Sequence, residues 1–379
     1  MQREKKKVKR FSKFMNNKMD YILFITVLIL LSLGVVMVLS ASAPSALSST
    51  GKSYTYFLKQ FEFALAGIGL MLFFSKSDYR FLRKYYKVIY VISVAILLLV
   101  LVPKLGKSVN GAKRWIEIKG IGQFQPSEFT KIGLIIFYAG YLSDHKNDLK
   151  QFGKGFVLPM AFLIPPIAIL YFVQNHLSVS LVVGIVTCVM MLMAGCRLLH
   201  FMFAGLAGVA GVALVIIREL LKGDASDSFR KDRIMTFFDA WSDATGTGYQ
   251  MVQSLYAIGS GGLFGVGLGN SKQKYLYIPE PQNDFIFAIV AEELGFVGCV
   301  TIILLFAIFV WRGIVISMKA PDMFGSLLAI GVTTLVATQA IINIAVVTAS
   351  IPTTGMALPF FSYRRNRTVS TTGWSGNFA

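Results

Sequence analysis

Tyr277–Gly298 reads YIPEPQNDFIFAIVAEELGFVG. Asp284 stands immediately before a long apolar run, and Glu292 and Glu293 lie two turns inside it. Carboxylates at membrane depth are costly and are functional candidates by default. The surrounding chain decides whether this is such a place. Hydrophobic residues make up 55% of its 379 residues and charged residues 15%, with a mean hydropathy of +0.64. A chain so poor in charge cannot give most of its helices a solvated face, so it reads as a polytopic membrane protein. Its net charge of +18 would point to nucleic acid in a soluble chain. Here much of it flanks apolar runs, where Lys and Arg set orientation and meet anionic lipid, so no nucleic-acid partner is expected.

Working outward, the apolar runs Tyr21–Ala41, Phe57–Phe74, Val88–Val102, Phe129–Leu142, Val157–Val173, Leu177–Ala194, Phe201–Ile217, Phe285–Trp311 and Phe324–Val347 predict nine spans. The expectation is an all-α membrane helix bundle. Val88–Val102 and Phe129–Leu142 are short, so they must borrow flanking residues or pack inside the bundle. Residues 1–20 hold eight Lys or Arg, which places the N-terminus in the cytoplasm. The first run is too long for a signal-peptide core and is read as a retained span. Alternation from that start puts 103–128 and 218–284 outside. Both carry cations, among them Lys113, Arg114, Arg233 and Lys274, against the usual bias. Binding an anionic substrate explains them, with the indifference of long translocated loops to charge as the alternative.

The segment 218–284 is too long for a simple connection. Its glycine-rich core, 248–269, has no preceding strand and no following Gly-Lys-Ser/Thr, which excludes a nucleotide loop. An interfacial helix and turn is expected there. Glu128 and Lys131 lie three apart on one helix face and can pair, as an internal brace or beside the substrate. Cys188, Cys196 and Cys299 show no paired spacing, so neither a disulfide framework nor a zinc site is expected. His176, at a span boundary, reads as an interfacial residue. Asp284 follows a loop with prolines at 279 and 281. A helix N-terminus favours the carboxylate while burial opposes it, a balance suited to a general base. A plain N-cap is the competing reading.

The stretches NGAKRWI (110–116), QPSEFTKIGLI (125–135), GYQ (248–250), SLYAIGSGGLFGVGLGNSKQK (254–274), PEPQNDFIFAIVAEELGFVG (279–298) and IPTTGMALPFFSY (351–363) resemble the SEDS family (shape, elongation, division and sporulation), which includes FtsW, RodA and SpoVE. The likeness runs in the family's order along about two thirds of the chain, nearest the FtsW/SpoVE branch. It implies ten spans with both ends cytoplasmic. It also implies a peptidoglycan glycosyltransferase that polymerises lipid II outside the bacterial cytoplasmic membrane. The family's essential acid falls on Asp284 and its Glu/Lys pair on Glu128 and Lys131. Glu292, Glu293 and Ser362 then become supporting groups, and Lys113, Arg114, Arg233 and Lys274 candidate substrate cations. A divalent cation, Mg or Mn, bridging diphosphate and acid would leave little trace in sequence. Implied partners are undecaprenyl-diphosphate-linked glycan, a class B penicillin-binding protein that crosslinks the strand, and divisome or sporulation proteins at the septum.

The chain departs from this family at two places. Gln174 is followed by Asn175-His176 rather than Pro-Asp. After Tyr363 the chain reads RRNRTVSTTGWSGNFA instead of entering a tenth span. A one-nucleotide frameshift after Tyr363 is the expectation for that tail. The organisation is therefore a basic N-terminus (1–20), a transmembrane domain (21–363) with the extracytoplasmic loop 218–284 between spans 7 and 8, and an atypical tail (364–379). Two other functions compete. One is a lipid II flippase, with the intramembrane charges lining its path; no internal repeat supports it, and the charges gather at one face. The other is a non-catalytic scaffold for the transpeptidase.

Overall fold

The computed structural model describes residues 20–102, 106–109, 112–118, 122–203, 205, 239, 241, 244, 246, 248–275, 277–279 and 281–362. The basic N-terminus, the tail after Ser362 and nearly all of the expected seventh span lie outside them. Among the described residues, helices α1 (Tyr21–Thr50), α2 (Thr55–Lys76) and α3 (Arg80–Leu98) come first. A three-stranded sheet follows: β1 (Gly106–Val109), β2 (Ala112–Ile118) and β3 (Gly122–Phe124). Then come α4 (Pro126–Asp144), α5 (Leu158–Ala168, with π-helical turns at Gly153–Val157 and Ile169–Val173), α6 (Leu177–Ala194), α7 (Tyr249–Gly261), α8 (Ile286–Lys319) and α9 (Met323–Val347).

Among the described residues, seven helical stretches are long and apolar enough to cross a membrane, and the chain is a multi-pass membrane protein. Helix α4, expected from sequence as a span, is not one of the seven. Glu128, Thr130 and Lys131 in its first turns make it too polar to count among them, and its surroundings accommodate those groups. Every residue from Gly133 to Ser143 is buried, and α4 packs against α3, α6 and α9. A helix walled by protein can carry Thr130 and Lys131 where a lipid-facing one could not. Small residues admit the close packing: Gly133 lies against Ser93 and Gly140 against the Tyr86 ring. Helix α2 is the opposite case, with only Tyr56 and Ala64 buried.

Helix α1 runs past the expected end at Ala41, and the serines and threonines of its last turns satisfy their hydroxyls on its own carbonyls. Thr50 Oγ1 donates to the Ala46 carbonyl at 2.8 Å, and Ser49 Oγ to that of Ser45 at 2.7 Å. The all-α expectation is corrected by the sheet, whose order is β1-β2-β3 with both pairs antiparallel. Lys113 pairs with Ser108 and Val109 with Ala112, and the Asn-Gly that separates these strands in sequence is a composition favoured in tight hairpins.

Candidate active site

Two ends of the bundle can be told apart by their contacts. At one, the start of α1 meets the second half of α8, and the start of α3 meets the end of α4. At the other lie the sheet, the α5–α6 junction, Asp284 and the end of α9.

The route to Asp284 is built from a broken helix. Inside α8, Gly295 has φ 67° and ψ −165°, a conformation essentially reserved for glycine. The break frees backbone groups that cannot go unpaired at membrane depth. The glycine-rich turn after α7 supplies their partners. Val266 and Gly267 donate to the carbonyls of Glu292 and Glu293 at 3.0 and 3.1 Å. Phe296 and Val297 donate to those of Gly262 and Leu263 at 2.9 and 3.1 Å. A Cβ on Gly265 or Gly295 would fall inside the facing backbone. These glycines therefore let one main chain cross another. Helix α7, expected as an interfacial helix, packs on α8 and is fastened to α9 by Ser254 Oγ, which donates to the Val347 carbonyl at 2.8 Å.

Glu292 and Glu293 are both buried, 2% and 1% exposed. Each carboxylate is bonded several times over, as burial of charge demands. Glu293 accepts from Ser40 Oγ of α1 at 2.6 and 2.7 Å and from the Ser271 main chain at 3.3 Å, and it pairs with Lys274 Nζ at 2.9 Å. Glu292 accepts from Ser271 Oγ, from the Lys272 main chain at 2.8 Å and from that of Gln273 at 3.4 Å. Lys274 also donates to Ser40 Oγ at 3.1 Å and to the Gly269 carbonyl. Sequence places Lys274 among the outward cations. In the fold the residue is only 3% exposed, and its ammonium is turned inward, toward Glu293.

Asp284 is half-buried, and buried Phe285 and Ile286 follow it at the start of α8. Asn343 Nδ2 of α9 donates to its carbonyl at 2.8 Å and to that of Met356 at 2.7 Å. Gly355 approaches the carboxylate closely enough that a Cβ there would lie 3.5 Å from Oδ2. The segment that includes Gly355 turns back along α9 through Ala349 at φ 54°. It then dips into the bundle, where Phe361 is fully buried and Ser362 Oγ accepts the Leu358 N–H at 2.8 Å.

Glu128 and Lys131 pair at 2.7 Å, with Lys131 buried and Glu128 partly exposed. Arg114 donates to the carbonyls of Gln174 at 3.0 Å and Asn175 at 2.6 Å. The sheet is thereby tied to the α5–α6 junction, where Asn175 has φ 47° and His176 is buried. The Lys113 side chain and all of Arg233 lie outside the described residues. Among the described residues no three His, Cys, Asp or Glu side chains are grouped to hold a metal ion. Asn343, Ser40 and Ser271 were not singled out from sequence. Asn343 is one of two amides in the apolar α9 run, with Gln339, and that was the signal available for it; nothing marked the two serines.

The sequence profile of the FtsW/RodA/SpoVE proteins, described as cell cycle protein, matches residues 20–372. Stage V sporulation protein E of Bacillus subtilis is 42% identical over 347 residues, covering 91% of both chains. A probable peptidoglycan glycosyltransferase FtsW of Trichlorobacter lovleyi is 39% identical over 345 residues, 91% of this chain and 88% of that one. Among solved structures, a chain of a peptidoglycan synthase complex that coordinates polymerization and crosslinking superposes with a TM-score of 0.74 at 25% identity, covering 91% of this chain and 92% of that one. The rod shape determining protein RodA of Thermus thermophilus gives 0.64 at 26% identity, covering 92% and 91%.

Proposed function

We propose the function that follows from one fact: the chain belongs to the FtsW/RodA/SpoVE family of cell cycle proteins. It is a peptidoglycan glycosyltransferase of cell-wall synthesis. The substrates are lipid II and a growing glycan on undecaprenyl diphosphate, meeting at the Asp284 end, which faces outside while the N-terminus is cytoplasmic. Asp284 takes the proton from the acceptor sugar's 4-hydroxyl. The oxygen attacks the donor's anomeric carbon, a new glycosidic bond forms, and the bond to the diphosphate breaks. The departing diphosphate is met by cations of the outer segments, for which Lys113, Arg114 and Arg233 are the candidates. Lys131, held by Glu128, braces the interior. An Mg or Mn ion at this end would be held by Asp284 and would supply positive charge to offset the negative charge of the departing diphosphate. The crosslinking partner is a class B penicillin-binding protein, and the site of action is the septum.

The observation that supports Asp284 as the base is its setting. It is a half-buried carboxylate at the mouth of α8, with its main chain pinned to α9. General-base help is worth about 100- to 10,000-fold. Purified Asp284→Asn should therefore lose that factor in lipid II polymerisation while keeping its melting temperature in detergent. Polymerisation at the unsubstituted rate would overturn the assignment.

A further inference from the structure

The Asn343 amide is 1% exposed, deep in α9. Its nitrogen has two hydrogens, and each goes to a different main-chain segment: one to the carbonyl of Asp284, one to that of Met356. The two segments come from opposite sides of α9 in the sequence, and both border the Asp284 carboxylate. The first carries it. The second carries Gly355, whose missing side chain leaves room beside Oδ2. Helix α9 makes the juxtaposition possible, because its end is reversed sharply. Ser350 and Ile351 both donate to the Ala345 carbonyl, at 2.8 and 3.3 Å, and the chain returns past Asn343.

We propose that Asn343 is a positioning residue for glycosyl transfer. It locks the backbone of the base to the Thr353–Met356 wall, so that the carboxylate meets the acceptor hydroxyl in one geometry. This rests on the assignment of Asp284 as the base. An amide suits the task because it offers two N–H donors from one short, neutral side chain. A hydrocarbon of equal bulk leaves both carbonyls unanswered and the two segments free to part. Misplacement of a reacting group by about 1 Å costs on the order of 100-fold.

The test uses the full-length protein in detergent with purified lipid II. Asn343→Leu keeps the bulk and removes both donors. It should lower kcat about 10- to 100-fold while KM stays within about threefold. Asn343→Gln keeps the donors and should recover part of the loss. A folded Leu variant with unchanged kcat, or a loss carried wholly by KM, overturns the proposal. If the Leu variant does not fold, Asn343→Ser decides. Its single hydroxyl can answer at most one of the two carbonyls, so the fold should survive while kcat falls several-fold; an unchanged kcat overturns the proposal. Asp284→Asn is measured alongside. If it polymerises normally, the base assignment has failed. If it is inactive while folded Asn343→Leu keeps its kcat, only the positioning role has failed.

Discussion

The two ends of the bundle use charge in different ways. At the Asp284 end, Glu292, Glu293 and Lys274 are buried and cross-bonded to α1 and to the loop 269–274. At the other end, ion pairs sit at the rim. Arg83 meets Asp144 at 2.8 Å with both groups more than a third exposed. Arg312 meets Asp20 at the foot of α1, and Tyr79 donates to Asp322. Burial separates the energetics of the two ends. A rim pair trades hydration for a partner at little net gain, whereas a buried pair cannot lose one member without stranding the other. The Asp284 end is thus held by interactions that fail together, and the opposite end by interactions that fail singly.

The two ends differ most at Glu293. Replacing it by Ala strands the Lys274 ammonium in the interior, and thermal unfolding in detergent should show a loss of about 3–5 kcal/mol. The double change Glu293→Met with Lys274→Met should cost less than that single one. If the single change is harmless, the cluster is not the brace described. Next comes Gly295→Ala, which forces a side chain into a conformation costing about 1–3 kcal/mol before the clash with the facing loop is counted. Lower melting, together with protease cleavage near 262–269, would show that loop released; an unaltered protein would mean the crossing is dispensable.

The smallest effects belong to the rim. Asp20 accepts the Leu23 N–H at 3.0 Å as the cap of α1, so Asp20→Ala should cost about 1 kcal/mol. Asp20→Asn keeps a capping oxygen and should cost less. The Arg312 guanidinium holds the Asp20 carboxyl below its ordinary 3.8, partly against desolvation. A lowered value means the contribution is complete above pH 3.8 and is lost as pH falls through the folded-state value. Melting of the two Asp20 variants relative to the parent should therefore be flat between about pH 5 and 8, since both limits lie above the group's titration. A slope within that range would show that another group governs this end. At Tyr79, burial and the Asp322 carboxylate push the phenol up to about 12, so it stays a donor throughout.

Much of this was legible in the residues. Long apolar runs announced the spans because lipid leaves few other ways to hide a backbone. Glu292 and Glu293, adjacent on a helix, required that at least one face inward; both do. What could not be read was the destination of groups whose partners are far away in sequence. Glycines at 265, 267 and 295 permit unusual backbone, but only the fold tells whether the approaching object is a ligand or another strand of the same chain. Lys274 looked like an outward cation because charge counts do not reveal direction. The sheet was hidden because Asn110-Gly111 is a hairpin signal set inside a stretch taken as a cationic loop. Helix α4 was legible as apolar but short, and only packing explained why a central helix tolerates Lys131.

The crossing at Gly295 also bears on how the protein is made. A helix with a break enters the bilayer carrying four polar main-chain groups that the helix itself does not pair. Residues 262–267, which pair with them, precede α8 in the chain and so leave the ribosome first. The order of synthesis therefore delivers the partner before the need arises. Moving the glycine turn to the far side of α8 in a circular permutant would reverse that order. The finished contacts could be the same, yet the break would have to wait in lipid for its partner.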